Sequence, residues 1–363
     1  MNFAVPSAAP ALRLACFSAQ IRAAVERVLA SGRLILGPEV ESFEQGLAGY
    51  LGLPHCVGVG SGTDALALAL RALGVGSGDE VISVAMTAPA TAVAIRSTGA
   101  TLRFVDIDPR SRGMDPAALA GAITPRTAAI VPVHLHGSPA PIAEIMAIAE
   151  RHALAVVEDC AQACGAHIDG RKLGTFGQAA AISFYPTKNL GAMGDGGAVV
   201  THDAAIAERV RRFRSYGMNA NEEAVSWGTN SRLDEIQAAI LSVLLPHLDT
   251  HNEERRQVAK AYRAGLAGLE LGLPPDPPGA IYHHFAVAAP NRELLATRLA
   301  AEGIGTQRHY SPGLHRHEAF AERSANLPET DLLAARTLSL PIQPEAVLGS
   351  GHRVVEAVMA CLG

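Results

Sequence analysis

The sequence of 363 residues has no long apolar run. Its hydrophobic stretches are short and broken by Gly or Pro, so no segment reads as a membrane span. Basic tracts are missing as well. With 30 Lys+Arg against 35 Asp+Glu the formal net charge is −5, and no Lys/Arg run offers a footprint for nucleic acid or an anionic membrane. The start, MNFAVPSAAPALRLACFSAQ, lacks a basic segment followed by a long apolar core, so no signal peptide is expected. Cysteines are few: Cys16, Cys56, Cys160, Cys164 and Cys361. An odd number without spacing logic predicts reduced thiols and a cytoplasmic protein. Cys160 and Cys164 have no second Cys/His pair nearby, so they read as structural thiols, and no metal is expected. Internal repeats and low-complexity tracts are absent. What remains, 48% hydrophobic and 18% charged, is a soluble globular composition, with about two domains by length.

What is present is an alternation. Short β-type runs at Val57–Val59, Glu80–Val84, Leu102–Val105, Ala129–Val133, Ala155–Val157, Ala179–Phe184 and Ala198–Thr201 alternate with helical segments. That order predicts an α/β fold with a mostly parallel, doubly wound sheet. A long charged helix over His247–Leu266, a proline-rich loop LPPDPPG and a further strand and helix suit a smaller α+β domain. The boundary is placed near Asp249, giving domains 1–248 and 249–363. Helices are also predicted over Ala204–Tyr216 and Arg232–Leu245, with Asn230 placed to cap the latter.

Two strand ends carry chemistry. Asp159 follows the run from Ala155, and Lys188 follows the run from Ala179. Groups at strand ends of an α/β sheet converge on one crevice. A lysine amine forms a Schiff base with a carbonyl, and pyridoxal phosphate (PLP) is held this way, with a carboxylate against its pyridine nitrogen. Opposite charges ~4 Å apart gain roughly 4 kcal/mol at an effective dielectric near 20, enough to keep that nitrogen protonated at neutral pH. Gly60-Ser61-Gly62-Thr63 precedes a strong helix. From that stretch alone, an anion site at a helix N-terminus and a plain N-cap read equally well. His134 and His136 alternate faces if extended, so they do not make a metal pair.

The stretches ED-x-A-Q-A-x-GA, GR-x-x-GTFG and SFYPTKNLGAMGDGGA resemble the DegT/DnrJ/EryC1/StrS family of sugar aminotransferases. So do VLASGRLILGPEVESFE, VGVGSGTDALALALRALGVGSGDEVIS, VHLHG, NSRLDEIQAAIL and LSLPIQP, in the family's order over nearly the whole chain. The resemblance implies a fold-type-I PLP-dependent transferase with Lys188 as the catalytic, Schiff-base lysine. It implies Gly62 and Thr63, with Ser61 beside them, and Ser183 at the phosphate. Asp159 is then at the pyridine nitrogen and Gln162 at the ring hydroxyl. Asn230 reaches the phosphate of the partner subunit, so the enzyme is expected to be a homodimer with composite sites. The segment Arg33–Gly37 is expected near the interface and the site, and His309 and Tyr310 near the substrate pocket. An aromatic residue is usual where this chain has Ala88. The implied reaction moves an amino group from glutamate to a nucleotide-linked 3-keto or 4-keto deoxysugar. A cyclitol aminotransferase and a regulatory member without activity are the alternatives. Relatives with a dehydratase activity carry His in place of the lysine, which Lys188 argues against.

Overall fold

A computed structural model describes residues 3–320, 326–347, 349 and 351–362. Seven strands form one sheet: β1 (His55–Val59), β2 (Glu80–Val84), β3 (Thr101–Val105), β4 (Thr127–Val131), β5 (Ala155–Asp159), β6 (Ala179–Ser183) and β7 (Gly197–Thr201). Their spatial order is β1-β7-β6-β5-β4-β2-β3. β2 pairs in parallel with β3 and β4, β4 with β5, and β5 with β6. β7 runs antiparallel to both neighbours, β6 and β1. The fold is therefore α/β with a mostly parallel sheet and one reversed strand. Every residue of β2 and β7 is buried, as expected where helices cover both faces.

The covering helices are α1 (Pro10–Cys16), α2 (Ser18–Ser31), α3 (Pro38–Leu51), α4 (Gly62–Ala72), α5 (Pro89–Ser97), α6 (Pro116–Ala122), α7 (Ile142–Arg151), α8 (Ala204–Phe213) and α9 (Glu235–Leu244). α4 packs across β6 and β7, and the Ala-Ala-Ala start of β6 keeps that contact close. α3 begins on Pro38, which has no N–H to leave unpaired. Its free N–H groups are taken by a side chain from α9: the buried Glu235 carboxylate accepts from Gly37 (2.8 Å), Glu39 (3.0 Å) and Val40 (2.9 Å). A negative group at a helix N-terminus is favourable twice over, through hydrogen bonds and through the helix dipole.

A separate apolar core joins α10 (Leu248–Gly265), β8 (Phe285–Ala288), α11 (Arg292–Ala301), β9 (Thr337–Leu340) and α14 (Gly351–Leu362). The short helices α12 (Pro328–Arg336) and α13 (Pro344–Val347) complete this layer. Leu248, at the start of α10, packs into the core of the large sheet, whereas Ala259 and Tyr262 pack into the second core. We propose the division 1–248 and 249–363 on that basis. The N-terminal residue Val5 also belongs to the second core and pairs with Ile304. No described helix is long and apolar enough to cross a membrane.

Two expected helix ends are displaced. α8 stops at Phe213, because Tyr216 (φ 60) and Gly217 (φ 79) turn into the left-handed region. α9 starts at Glu235, because the chain before it is extended and Asp234 pairs with Ile35. Asn230 therefore caps no helix; it pairs with Ser215 in an isolated bridge. His134 and His136 do not alternate along a strand, since a short 3-10 turn at Leu135–Gly137 follows β4.

Candidate active site

β5 and β6 are neighbours, so their ends open at one edge of the sheet. There a cavity of about 220 Å³ is lined by Gly62, Thr63, Asp159, Gln162, Ser183 and Lys188, together with Ser61, Ala88 and Tyr185. Six of the seven candidate residues thus share one cavity. Asn230 does not line it and is exposed. The Arg33–Gly37 segment does not line it either; Leu34 and Ile35 are exposed.

One end of the cavity is the start of α4. Ser61 Oγ accepts from the Asp64 N–H at 3.1 Å, which caps the helix. The first N–H groups of a helix have no acceptor within it, and here they face the cavity with the positive end of the helix dipole. A Cβ at Gly62 would stand 2.6 Å from Ser183 Cβ, and one at Gly197 would stand 2.3 Å from the Ser61 carbonyl oxygen. Only glycine lets α4 lie this close to β6. Gly62→Ala is accordingly expected to cost about 1–3 kcal/mol of stability through overpacking and to weaken anion binding. Thermal melts and a cofactor titration would check both.

The other end is Asp159, which is buried. Its Oδ2 accepts from the Thr91 hydroxyl at 2.8 Å and its Oδ1 from the Ala161 N–H at 3.1 Å. Thr91 in turn shares a hydrogen bond with Thr87 at 2.9 Å. Pro89 at the start of α5 places Thr91 in its first turn.

Lys188 lies in the loop after β6. Burial pushes its amine down to about 8, and the Asp159 carboxylate opposes that fall. The next residue is held by its side chain: Asn189 Nδ2 donates to Asn252 Oδ1 at 2.7 Å, and its Oδ1 lies 3.0 Å from His283 Nδ1.

Gln162 is held at both ends of its amide. Oε1 accepts from the His136 N–H at 2.7 Å, and Nε2 donates to the Tyr310 hydroxyl at 2.7 Å. Tyr310 therefore stands directly behind the cavity wall. His309 stacks on His284 with ring centroids 3.7 Å apart. Burial, with the charge of Lys188, pushes His309 down to about 4.

His134, Glu158 and Cys160 place their ligand atoms within 4.8 Å of one another, and the ring nitrogens of His134 and the carboxylate of Glu158 are already engaged. His134 Nδ1 accepts from the Ala140 N–H at 3.0 Å, which puts the ring proton on Nε2. Nε2 then donates to Glu158 at 3.0 Å. Glu158 also accepts from the N–H groups of Gly174, Phe176 and Gly177. Burial alone would raise Glu158, but the His134 hydrogen bond and these N–H groups hold it below the usual carboxylate range. This cluster ties down a turn.

Sequence reasoning missed Thr87 and Thr91, although their i, i+4 spacing at a helix start was a usable signal. It also missed His284, for which no signal was available.

The donor set fits pyridoxal phosphate. A glycine-lined helix N-terminus with serine hydroxyls suits the phosphate, a buried carboxylate suits the pyridine nitrogen, and a partly buried amine of lowered basicity suits the carbonyl.

The profile of the DegT/DnrJ/EryC1/StrS aminotransferase family matches residues 15–359. The chain is 46% identical over 346 residues to dTDP-3-amino-3,4,6-trideoxy-alpha-D-glucose transaminase of Streptomyces venezuelae, covering 94% of this chain and 91% of that one. It is 44% identical over 347 residues to UDP-N-acetyl-3-dehydro-alpha-D-glucosamine 3-aminotransferase of Acidithiobacillus ferrooxidans, covering 95% and 94%. The crystal structure of S. venezuelae DesV in complex with a ketimine intermediate is similar with a TM-score of 0.95 at 45% identity, covering 98% of each chain.

Proposed function

The chain belongs to the DegT/DnrJ/EryC1/StrS aminotransferase family, as a sugar aminotransferase that works with pyridoxal phosphate, and from that premise we propose that it moves the amino group of glutamate onto C3 of a nucleotide-linked 3-keto sugar. The observation that carries the reading is the cavity itself: a partly buried lysine shares it with a buried aspartate and a helix N-terminus. The 3-amino sugars in the names of two relatives favour C3 over C4.

When bound, the cofactor supplies a carbonyl for amine exchange and an electron-accepting ring. The chain's own residues do the rest. Gly62 and Thr63, through backbone N–H groups, and Ser183, through its hydroxyl, would hold the phosphate. Asp159, held by Thr91 and Ala161, would face the ring nitrogen and keep its proton in place. Gln162 is oriented by His136 and Tyr310 along the cavity wall. With an amine near 8, roughly one Lys188 in ten is neutral at pH 7, so a nucleophile is available without a separate base. With the cofactor bound, Lys188 Nζ would also be the base for the donor's α-proton.

Composite sites in a homodimer complete the reading. Asn230 is exposed, Trp227 close to it is 90% exposed, and Tyr216, Met218 and Val225 are also open to solvent. An apolar face of this kind next to a polar residue of the right type supports cover by a second copy. Cytoplasmic residence is part of the same proposal.

The test is spectroscopic. Purified protein is expected to be yellow, and glutamate to bleach the band. A nucleotide-linked 3-keto sugar should then restore the colour. A protein that stays colourless with added cofactor would overturn the reading in favour of a regulatory role. Restoration by an inosose but by no nucleotide sugar would replace the acceptor with a cyclitol.

A further inference from the structure

One buried cation has no part in the chemistry above. Arg13, on α1, is 4% exposed. Its Nη1 donates to the carbonyl oxygens of Lys188 at 3.0 Å and Asn189 at 2.6 Å. Its Nε donates to Glu345 on α13 at 3.2 Å. The strap that carries Arg13 is stitched to the C-terminal layer. The Val5 N–H donates to the Gly303 carbonyl (3.0 Å), and the Gly305 N–H donates to that of Val5 (2.9 Å). The backbone of Ala9 exchanges two hydrogen bonds with the Gln343 amide, both 2.8 Å. Arg13 is thus one point at which the C-terminal layer grips the loop of Lys188, and the one that acts on its backbone; Asn252 and His283 hold the Asn189 side chain.

We infer that Arg13 is a positioning residue for Lys188, and that through it the C-terminal layer sets the direction in which the lysine amine enters the cavity. The inference rests on Lys188 being the cofactor-binding amine. A guanidinium presents several N–H groups in a fixed fork, so two consecutive carbonyls held by it fix the peptide between them. The side chain of Asn189 is fixed separately by Asn252 and His283, so the backbone carbonyls are the part of this loop that Arg13 alone controls. Small misplacement of a reacting group has large consequences, with ~1 Å costing on the order of 10²-fold in rate.

The test compares wild type, Arg13→Gln, Arg13→Lys and Glu345→Gln as full-length proteins. Three readouts are taken: hydrogen exchange of the 185–191 amides without cofactor, the pH midpoint of the cofactor band, and single-turnover kinetics with glutamate. Arg13→Gln is expected to speed exchange in that loop roughly tenfold with α4 unchanged. It should also shift the band midpoint and slow the half-reaction about 10–100-fold at nearly constant KM. Arg13→Lys should recover part of each, and Glu345→Gln should give smaller changes of the same sign. A lower melting temperature with loop exchange, band midpoint and rate unchanged would overturn the inference and leave Arg13 as a fold anchor. If Arg13→Gln does not fold, Glu345→Gln decides alone, and unchanged loop exchange in it overturns the proposal. Failure of the cofactor reading would show separately, as a colourless wild type.

Discussion

Lys188→Met is expected to cut turnover by roughly 10³-fold or more and, at the same time, to stabilise the cofactor-free protein near neutral pH. The two effects have one origin. The amine is displaced from 10.5 to about 8 because burial disfavours its charge. Below about pH 8 the lysine is charged in both the folded and the unfolded chain, and the folded state carries the full cost of burying that charge. Between about pH 8 and 10.5 the unfolded chain holds a proton that the folded one has released, so stability rises with pH over that window. At full burial the displacement is worth about 3 kcal/mol; the partial solvent contact of Lys188 reduces it to about 1–2 kcal/mol. Melting curves of the two apo proteins from pH 6 to 10 would therefore start apart, with Lys188→Met higher, and converge. Curves that stay parallel would contradict the lowered basicity. A second readout locates the reactive amine. The sequence has three lysines, Lys172, Lys188 and Lys260. Reduction of the yellow protein with borohydride should attach the cofactor to the Lys188 peptide alone, and label on either other lysine would refute the assignment.

The division between what was legible in the sequence and what was not follows the range of the interactions. Asp159 and Lys188 were legible because each follows a short apolar run, and neighbouring strand ends converge by construction. Gly62 was legible as a glycine before a helix, although its reason, the 2.6 Å approach to Ser183, needed coordinates. Thr91 bonds Asp159 across 68 residues and Arg13 bonds Lys188 across 175; no local pattern encodes either pairing. The N-terminal strap belongs with the C-terminal layer for the same reason, since Val5 finds its partners at Gly303 and Gly305. The misplaced start of α9 has a tertiary cause too. Residues before Glu235 have a helix-compatible pattern, but pairing of Asp234 with Ile35 draws them out, and the helix begins only where Glu235 can turn inward onto α3.

Asp159→Asn separates charge from position at the second key residue. Asn has nearly the same volume and its side-chain oxygen can still accept from Thr91 or from the Ala161 N–H, the two groups that hold Asp159 at 2.8 and 3.1 Å. What is lost is the negative charge proposed to stand opposite the pyridine nitrogen. A pair of unit charges ~4 Å apart at an effective dielectric near 20 is worth about 4 kcal/mol, which corresponds to roughly 10³-fold in rate if the charge acts mainly on the transition state. The protein should remain yellow, because on the proposed reading Lys188 and the α4 N-terminus would still hold the cofactor, while bleaching by glutamate slows by about that factor. Thr91→Val removes one orienting hydrogen bond and no charge, so its effect should stay near tenfold. The contrast carries the argument. If Thr91→Val is as slow as Asp159→Asn, the threonine pair and not the carboxylate charge governs the ring nitrogen. If Asp159→Asn bleaches at the wild-type rate, Asp159 is a strand-end carboxylate with no part in the reaction.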